Sequence, residues 1–368
     1  MTLHGLRIAL VGPLPPPEGG IANQTRQLAE LLGKEGAHVT LVQVNTPYRP
    51  RWVGRLRGVR ALFRLVPYLL RLWRTAGEVD VFHVMANSGW SWHLFAAPAV
   101  WVARLRDVPC VVNYRGGEAD AFLQRSGARF VRTLRKATVL AVPSGYLQEI
   151  FARHKLPSAI VPNIIDVERF RPSGRQGARP PHLLVARSLE AIYDNATALR
   201  AFALILKQHL DARMTVAGAG PEEGMLKALA AELGVVDAVR FAGRLPRESM
   251  AELYHSASVV LNPSRVDNMP NSVLEAMASG VPVVSTNVGG VPSIVRDGVT
   301  GLLVSPDNAE AMAAAVSSLL KDPPFADRLR NAALAEVQQY TWPRIRARWA
   351  EVYATVLPGP IAREASAR

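Results

Sequence analysis

The chain has 368 residues, of which 49% are apolar and 20% are charged, and this composition excludes an intrinsically disordered protein. The length suffices for two domains, each with its own core. The net charge of +13 is unevenly distributed, because residues 1–170 carry a net +11 and residues 171–368 a net +2. The N-terminal half is therefore expected to meet an anionic partner.

The single cysteine, Cys110, excludes a disulfide framework and a cysteine metal site. Its apolar neighbours predict a small core residue on a strand. The longest apolar stretch, residues 90–103, contains His93 and Pro98 and is too short to span a bilayer. The apolar run at 8–11 is too short for the core of a signal peptide. We expect a cytoplasmic protein without a transmembrane helix.

Short apolar strands alternate with amphipathic helical segments along the first half. The predicted strands are 7–11, 39–44, 79–84, 109–113 and 139–142. A loop rich in proline and glycine follows the first strand and precedes a helix whose apolar face contains leucines. Strands that alternate with helices pair in parallel, so this pattern predicts a doubly wound α/β sheet.

The stretch 171–181 is rich in Arg, Pro and Gly and has the composition of a linker. It marks the predicted boundary between one domain, 1–170, and a second, 171–342. The second half repeats the alternation. Its predicted strands are 182–186, 213–217, 239–242, 259–262, 282–285 and 301–304. A last helix, 343–358, is expected to cross back to the first domain, and residues 359–368 to form a flexible tail. Two Rossmann-like domains in tandem predict a ligand cleft between the carboxyl ends of their sheets.

The segment 262–284 carries the most chemistry. It is predicted to form a strand, a loop with Asp267, a helix with Glu275, a glycine cap and a second strand. Pro270 and Asn271 open the helix, with cap-capable side chains nearby. The free backbone N–H groups and the positive dipole end of such a helix suit a diphosphate.

This segment resembles the E-x7-E signature of glycosyltransferase family 4, which are retaining enzymes of the GT-B fold. The resemblance covers nearly the whole chain, in the order of the family. Its other motifs are Glu18, Gly19 and Gly20; Pro162, Asn163, Asp166 and Phe170; Arg187; Gly218, Gly220, Pro221 and Glu222; and Gly289, Gly290, Gly298, Thr300 and Gly301. Each glycine motif alone is weak, whereas the ordered set is specific. It implies two Rossmann-like domains that face each other across a cleft.

The resemblance also implies roles for individual residues. Glu275 would bind the ribose hydroxyls of the nucleotide, and Asp267 would face the transferred sugar. The predicted catalytic residues are Asp267, Arg187 and Arg115. The predicted donor-binding residues are Gly19, Gly20, Gly218, Arg244, Arg265, Asn268, Met269, Pro270, Asn271 and Glu275. The family implies no metal, the scattered histidines show no ligand spacing, and the nucleoside diphosphate sugar is a substrate rather than a cofactor.

Three positions depart from the family pattern. Asp267 replaces the usual leading Glu, Ile192 and Tyr193 stand where a phosphate-binding Lys is usual, and Arg115 stands in the place of a His. Loss of one charged donor weakens stabilisation of the leaving group by roughly 3–4 kcal/mol. Our hypothesis is that Arg265 or Arg115 supplies the second positive charge.

Residues 49–74 contain eight arginines and no acidic residue. Apolar residues from Trp52 to Trp73 repeat at steps of four and three, which predicts one face of a helix bent at Pro67. Two interpretations remain open: a surface for an anionic bilayer, or a domain helix whose apolar face packs inward. Nucleic acid is disfavoured because base-stacking aromatics are not interleaved with the arginines. The predicted membrane or acceptor surface consists of Trp52, Arg57, Arg60, Arg64, Arg71 and Trp73.

The sequence therefore predicts a retaining enzyme that transfers a sugar from a nucleoside diphosphate donor to a glycan or lipid-linked acceptor. Surface polysaccharide assembly, at the inner face of the membrane, is the expected setting. Two alternatives remain. The first is a non-catalytic nucleotide-sugar-binding protein that lost turnover with the missing Lys and His. The second is a sugar-nucleotide epimerase of the same fold.

Overall fold

The structure is a computed structural model that describes residues 3–47, 60–172 and 180–357. These residues divide between two compact units. Unit 1 comprises Met1–Ile164 together with Trp342–Arg368, and unit 2 comprises Ile165–Thr341. Both units are α/β, and each contains a six-stranded parallel sheet. No helix within the described ranges is both long and apolar enough to cross a bilayer.

Unit 1 follows the predicted alternation and adds a short sixth strand. Its elements are β1 (Arg7–Gly12), α1 (Gly20–Lys34), β2 (His38–Gln43), α2 (Arg60–Thr75), β3 (Val81–Ala86), α3 (Ala97–Leu105), β4 (Cys110–Tyr114), α4 (Ala119–Leu134), β5 (Val139–Val142), α5 (Gly145–Arg153) and β6 (Ala159–Ile160). The sheet order is β2-β1-β3-β4-β5-β6. The strand order reverses between β1 and β3, so their carboxyl ends form the switch point where ligands bind in such sheets.

Unit 2 has the sheet order β12-β11-β10-β7-β8-β9, which is the Rossmann order, with the switch point between β7 and β10. Its elements are β7 (His182–Ala186), α6 (Asn195–Leu206), β8 (Arg213–Ala217), α7 (Glu223–Glu232), β9 (Val239–Gly243), α8 (Arg247–Ser256), β10 (Val259–Asn262), α9 (Asn271–Ala278), β11 (Val283–Thr286), β12 (Leu302–Val304), α10 (Ala309–Lys321) and α11 (Pro323–Glu336). The last helix, α12 (Trp342–Val356), belongs to unit 1.

The division between the units falls earlier than the predicted boundary at 170/171. Unit 2 begins at Ile165, because Ile165 and Phe170 are buried in the apolar cluster that contains Tyr254 and Val273. Phe170 packs edge-to-face on Tyr254, with ring centroids 5.7 Å apart. Most of the predicted linker, residues 173–179, lies outside the described residues, as does the predicted tail.

Each sheet is covered on both faces by buried apolar clusters, which is why its strands are near-continuous apolar runs. All six residues of β3 are buried. Cys110 is buried in this core, as expected, and burial raises the pKa of its thiol to about 12. A thiol with so high a pKa is a packing group rather than a nucleophile.

Helix α12 completes the core of unit 1. Trp349 and Tyr353 are fully buried among residues such as Leu28 and Val111. The ring of Trp349 lies 4.6 Å from the ring of His83, centroid to centroid. The Trp342 indole N–H donates to Glu35, the C-cap residue of α1, over 2.9 Å. The final helix therefore holds the unit 1 sheet through both apolar and polar contacts.

Replacing Trp349 with alanine is expected to lower the free energy of unfolding by about 3–5 kcal/mol, because a large buried side chain leaves a cavity that collapses only in part. Urea unfolding of the full chain measures this change. Trp90→Ala is the matched control, since Trp90 is exposed, and it is expected to change the value by less than about 0.5 kcal/mol. Equal losses for the two variants would contradict this account of α12.

Candidate active site

The site in unit 2 is built at the switch point of its sheet. β7 and β10 are adjacent and parallel, and Arg187 follows β7 directly. The loop after β10 carries Asp267 and leads into α9. Because parallel strands end at the same edge, the sheet brings these side chains together, although 79 positions separate them in the sequence. This edge is the usual ligand position in an open α/β sheet.

Arg187 and Asp267 form a buried ion pair. The distance from Nη2 of Arg187 to Oδ2 of Asp267 is 2.8 Å, and the side chains are only 10% and 9% exposed. The hydroxyl of Ser264 donates to Oδ2 over 3.1 Å, and the backbone N–H of Asn268 donates to Oδ1 over 3.0 Å. A buried carboxylate requires such a full set of partners. The N-cap of α9 is Pro270, so Asp267 is not the capping residue.

The guanidinium of Arg187 has donor capacity beyond the ion pair. Its Nε is buried and has no hydrogen-bond partner among the described residues. Its Nη1 approaches the hydroxyl of Ser272 at only 3.5 Å. The guanidinium carbon lies 4.0 Å from the centroid of the Tyr193 ring. Buried polar groups are nearly always satisfied, so this orphaned donor points to a ligand that supplies an acceptor, such as a phosphate oxygen.

The predicted donor loop leads directly into α9. Asn268 and Met269 are buried, and Pro270 immediately precedes the first residue of the helix, Asn271. No side chain caps the N-terminus of this eight-residue helix. The first-turn N–H groups and the positive end of the helix dipole therefore lie at the same sheet edge as Arg187, where they can bind an anion.

Glu275 lies on α9 and is partly buried. The hydroxyl of Tyr254 donates to its Oε2 over 2.9 Å. Burial raises the pKa of Glu275 to about 7, and the hydrogen bond from Tyr254 and the charges of Arg247 and Arg187 oppose this rise. The carboxylate can therefore change protonation near neutral pH, and its ionised form can accept hydrogen bonds from two adjacent hydroxyl groups.

The glycines after β8 have a packing role within unit 2. A Cβ at Gly218 would lie 1.9 Å from the carbonyl oxygen of Arg187, and one at Gly220 would lie 2.2 Å from that of Leu189. Only glycine lets the two loops approach this closely. Close packing of the two loops therefore requires glycine at position 218 whether or not Gly218 also contacts the sugar donor, as predicted. Arg244 is exposed just after β9, and none of the described residues forms an ion pair with it.

Arg265 is not a free cation in the structure. Its guanidinium forms ion pairs with Asp307 at 2.6 Å and Asp194 at 3.2 Å and donates to the carbonyl of Ala191. Its backbone N–H donates to the carbonyl of Ile192 over 2.9 Å. Two carboxylates balance its charge in the structure, and the hypothesis that Arg265 supplies the second positive charge stays a prediction. Its contacts fasten the turn at Ala191–Tyr193.

Arg115 lies in unit 1, at the carboxyl end of β4. Its Nε donates to Oδ1 of Asn113 over 3.1 Å, and its Nη1 contacts Oδ1 of Asn163. Burial lowers its pKa to about 9, so it stays charged at neutral pH. No carboxylate in the described parts of the chain pairs with it. Arg115 is thus a cation held by neutral amides, which leaves its charge uncompensated and keeps it a candidate for the second positive charge.

The surroundings of Arg115 include residues that sequence reasoning missed. Asn113 also contacts Nε2 of His83 at 3.0 Å, and Nδ1 of His83 contacts the hydroxyl of Tyr353 at 2.7 Å. Burial, with the charge of Arg115, lowers the pKa of His83 to about 3, so the imidazole is neutral. The sequence signal for these residues was a polar side chain within an apolar strand, His83 in β3 and Asn113 in β4.

Gly19 and Gly20 also belong to unit 1, where Gly20 begins α1. A Cβ at Gly19 would meet no atom within 4 Å, so packing within the chain does not require glycine there. No side chain caps the N-terminus of α1. This is the arrangement expected where a ligand approaches the backbone closely.

Helix α2 exposes the face that its periodicity marks as apolar. Phe63, Val66, Leu70 and Trp73 are between 45% and 55% exposed. The opposite face is buried through residues such as Leu72. The interpretation in which the predicted apolar face packs inward is therefore wrong for the described part of the helix.

Exposed apolar residues continue onto the neighbouring helix α3, where Trp101 and Leu105 are exposed. Arg106 lies 5.0 Å from the Trp73 ring centroid. Arg71 is exposed and donates to the carbonyl of Leu41 over 2.7 Å, and Arg64 is partly buried. Trp52 and Arg57 lie outside the described residues, and nothing is described of the side chain of Arg60.

Sequence models of two families match consecutive parts of the chain. The model of Glycosyltransferase Family 4 matches residues 18–169, and that of Glycosyl transferases group 1 matches residues 166–335. With two Rossmann-like units and the site described above, these matches define the chain as a glycosyltransferase of the GT-B type. Together the two matches span residues 18–335, so the chain is a member of the glycosyltransferases that these two models describe.

Individual proteins agree with this assignment. A D-inositol 3-phosphate glycosyltransferase of Streptomyces scabiei is 32% identical over 218 residues, which are 54% of this chain and 49% of that protein. The chain thus spans about half the length of this curated relative. A sucrose-phosphate synthase of Thermosynechococcus elongatus has the same fold, with a TM-score of 0.75, 21% identity and coverage of 95% and 98%. Anabaena HepE, solved with UDP and glucose, gives a TM-score of 0.75, 17% identity and coverage of 95% and 100%.

The described residues contain no group of three or more His, Cys, Asp or Glu side chains that could hold a metal ion. The charged side chains described at the site of unit 2 include Arg187, Asp267 and Glu275.

The raised pKa of Glu275 predicts a pH-dependent stability. In the unfolded chain this carboxyl ionises near its ordinary pKa of 4.5, whereas in the folded chain the pKa is about 7. Ionisation therefore costs stability progressively as the pH rises from about 4.5 to 7. Glu275→Gln removes this cost, so the variant is expected to gain up to about 3 kcal/mol relative to wild type at pH 8 and little at pH 4.5.

Thermal unfolding of both proteins across this pH range measures the difference. Glu232→Gln is the control, since Glu232 is an exposed residue of the same unit, and it is expected to show no such trend. A Glu275→Gln gain that stays constant with pH would contradict the account.

Proposed function

We propose that the chain transfers a sugar, with retention of anomeric configuration, from a nucleoside diphosphate sugar to a glycan or lipid-linked acceptor. The observation that carries this proposal is the buried guanidinium of Arg187 at the switch point of unit 2. It has an unsatisfied Nε, and it lies with Asp267 at the edge where the N-terminus of α9 lies. A diphosphate supplies an acceptor oxygen for this Nε, and the positive end of the helix dipole favours its negative charge.

The donor fits the remaining residues of this edge. Glu275 lies one helical turn beyond the start of α9, and its carboxylate accepts hydrogen bonds from the two ribose hydroxyls. The backbone of residues 268–271 and Gly218 border the diphosphate and sugar, and Arg244 borders the base. The complex of HepE with UDP and glucose supports a nucleotide-sugar donor for this chain.

The reaction is a front-face substitution that needs no metal. The acceptor hydroxyl forms a bond to the anomeric carbon on the face from which the diphosphate departs. The bond from that carbon to the diphosphate oxygen breaks, and the departing phosphate takes the proton of the hydroxyl. Arg187, Arg115, Gly19 and Gly20 stabilise the leaving charge, and Asp267 orients the sugar. The protein positions the reactants and stabilises charge rather than supplying a strong base.

The acceptor is held by unit 1, at the cytoplasmic face of an anionic membrane, in the assembly of surface polysaccharide. The exposed apolar residues of α2 and α3, with Arg71, Arg104 and Arg106 nearby in the sequence, support this placement. Apolar side chains bordered by arginines fit the boundary between lipid headgroups and acyl chains. The positive charge of the N-terminal half fits the negative surface of such a membrane.

A non-catalytic nucleotide-sugar-binding protein is the second candidate. It is favoured by one observation, that Arg265 is already paired with two carboxylates in the structure.

Transfer of labelled sugar from a panel of nucleotide donors into membrane lipid extract tests the proposal. Arg187→Met is expected to lower kcat by about 10²–10³-fold, the cost of removing one charge-stabilising donor, and Glu275→Ala is expected to weaken donor binding. Arg328→Met is the control, because Arg328 is exposed on α11, and it should leave transfer unchanged. Donor binding without transfer to lipid or soluble acceptors would favour the non-catalytic protein instead.

Flotation with liposomes tests the membrane surface. Wild type is expected to bind anionic vesicles at low salt and to bind neutral vesicles weakly. Leu70→Glu is expected to reduce bound protein about tenfold or more, because a charge on the inserted face opposes burial. Leu210→Glu alters a more exposed leucine in unit 2 and should bind like wild type. No binding by wild type at low salt would refute a membrane role for α2.

A further inference from the structure

Tyr193 lies where the family pattern expects a lysine, and its ring contacts the key guanidinium of the site. It ends the short 3-10 turn Ala191–Tyr193 between β7 and α6. The guanidinium carbon of Arg187 lies over this ring, 4.0 Å from its centroid. A separation of this size is typical of a favourable stack between an arginine and an aromatic ring.

The turn that carries Tyr193 is fastened to the loop of Asp267. The backbone N–H groups of Arg265 and Val266 both donate to the carbonyl of Ile192, over 2.9 and 3.3 Å. The side chain of Arg265 adds the contact to Ala191 and the ion pair with Asp194. The ring is therefore held by the same loop that presents the carboxylate.

The next residue fixes the other side of the turn. Asp194 is buried and has a left-handed backbone, with φ of 41°. Its carboxylate accepts a hydrogen bond from the Thr197 hydroxyl over 2.6 Å. A non-glycine residue in this conformation is costly and persists only where its surroundings impose it. The position of Tyr193 is thus specified from both directions along the chain.

The stack and the ion pair use different parts of Arg187. A guanidinium donates hydrogen bonds only in its plane, whereas an aromatic ring contacts its face. Tyr193 therefore restrains the plane without using a donor. Asp267 uses Nη2, and Nε remains without a partner in the described chain. When an anion competes with Asp267 for the edge of the guanidinium, the ring still holds its face.

We propose that Tyr193 is a positioning residue, which holds the plane of Arg187 so that the in-plane donors meet the diphosphate of the donor. This inference rests on the proposed function. An aromatic support at this position lowers the ordering cost of Arg187 where the family pattern expects a lysine. Arg265 contributes by holding the turn Ala191–Tyr193 in place.

Three variants of the full chain test this role. Tyr193→Leu removes the aromatic face, and Tyr193→Phe keeps it. Phe325→Leu is the matched control, because Phe325 lies under the exposed Arg328 in the same unit, 5.4 Å from ring centroid to guanidinium carbon. Binding of UDP, GDP and ADP is measured by calorimetry, and thermal unfolding shows whether each variant is folded.

Tyr193→Leu is expected to weaken the best-bound nucleotide by about 3- to 30-fold, the range of a partly desolvated cation–π contact. Tyr193→Phe and Phe325→Leu are expected to bind like wild type. Rescue by phenylalanine excludes a role that depends on the hydroxyl. Equal binding by wild type and by folded Tyr193→Leu would overturn the role of Tyr193 alone, whereas no binding by wild type would overturn the donor site and this inference together.

A second measurement does not need a ligand. Arginine-selective nitrogen labelling, with assignment by Arg187→Met, follows the Nε–H resonance of Arg187. The aromatic ring is expected to displace this resonance in wild type and in Tyr193→Phe, and the displacement should disappear in Tyr193→Leu. An Arg187 resonance that is the same in all three proteins would overturn the stack, whatever the nucleotide affinities are.

Discussion

The buried ion pair between Arg187 and Asp267 is the constraint on which the site of unit 2 depends. It joins the residues that follow β7 and β10, the two strands at the switch point. Removing either partner would leave an uncompensated buried charge, which costs about 3–5 kcal/mol. The pair in turn requires the donors from Ser264 and Asn268, and these fix the loop that leads into α9. One electrostatic requirement therefore specifies the loop at the start of α9.

The two units bury a guanidinium in opposite ways. Arg187 is balanced by a carboxylate, whereas Arg115 is surrounded by the amides of Asn113 and Asn163. Neutral amides satisfy donors without cancelling the charge. Burial lowers the pKa of Arg115 to about 9, and its charge persists at neutral pH. The charge of Arg115 in unit 1 is thus uncompensated, whereas the charge of Arg187 in unit 2 is balanced by Asp267.

The strands of unit 2 could be predicted from the sequence, and the predicted bounds coincide closely with β7–β12. Parallel strands that are buried on both faces form apolar runs, which are easy to recognise. It could not supply β6, which has only two residues. The family motif placed Arg187 and Asp267 as functional residues, but not their direct contact. The pairing of Arg265 with Asp307, 42 positions away, is a tertiary contact without local signal. From the sequence alone, Arg265 beside Asp267 is therefore predicted to offer its charge to a ligand, and its two ion pairs are not foreseen.

The orientation of α2 shows why periodicity alone did not decide its role. Its buried stripe, with Tyr68 and Leu72, is as apolar as its exposed stripe, with Val66 and Leu70. The helix therefore has two apolar faces, and periodicity does not indicate which of them is buried. Tertiary contacts determine that the face with Tyr68 is buried, because the hydroxyl of Tyr68 also donates to the carbonyl of Phe95 over 2.7 Å. The outer stripe then remains an apolar surface among arginines, which is the kind of patch that marks an interaction site. Charge attraction weakens with salt, whereas burial of apolar groups does not, so the two contributions to the proposed membrane binding are separable by ionic strength.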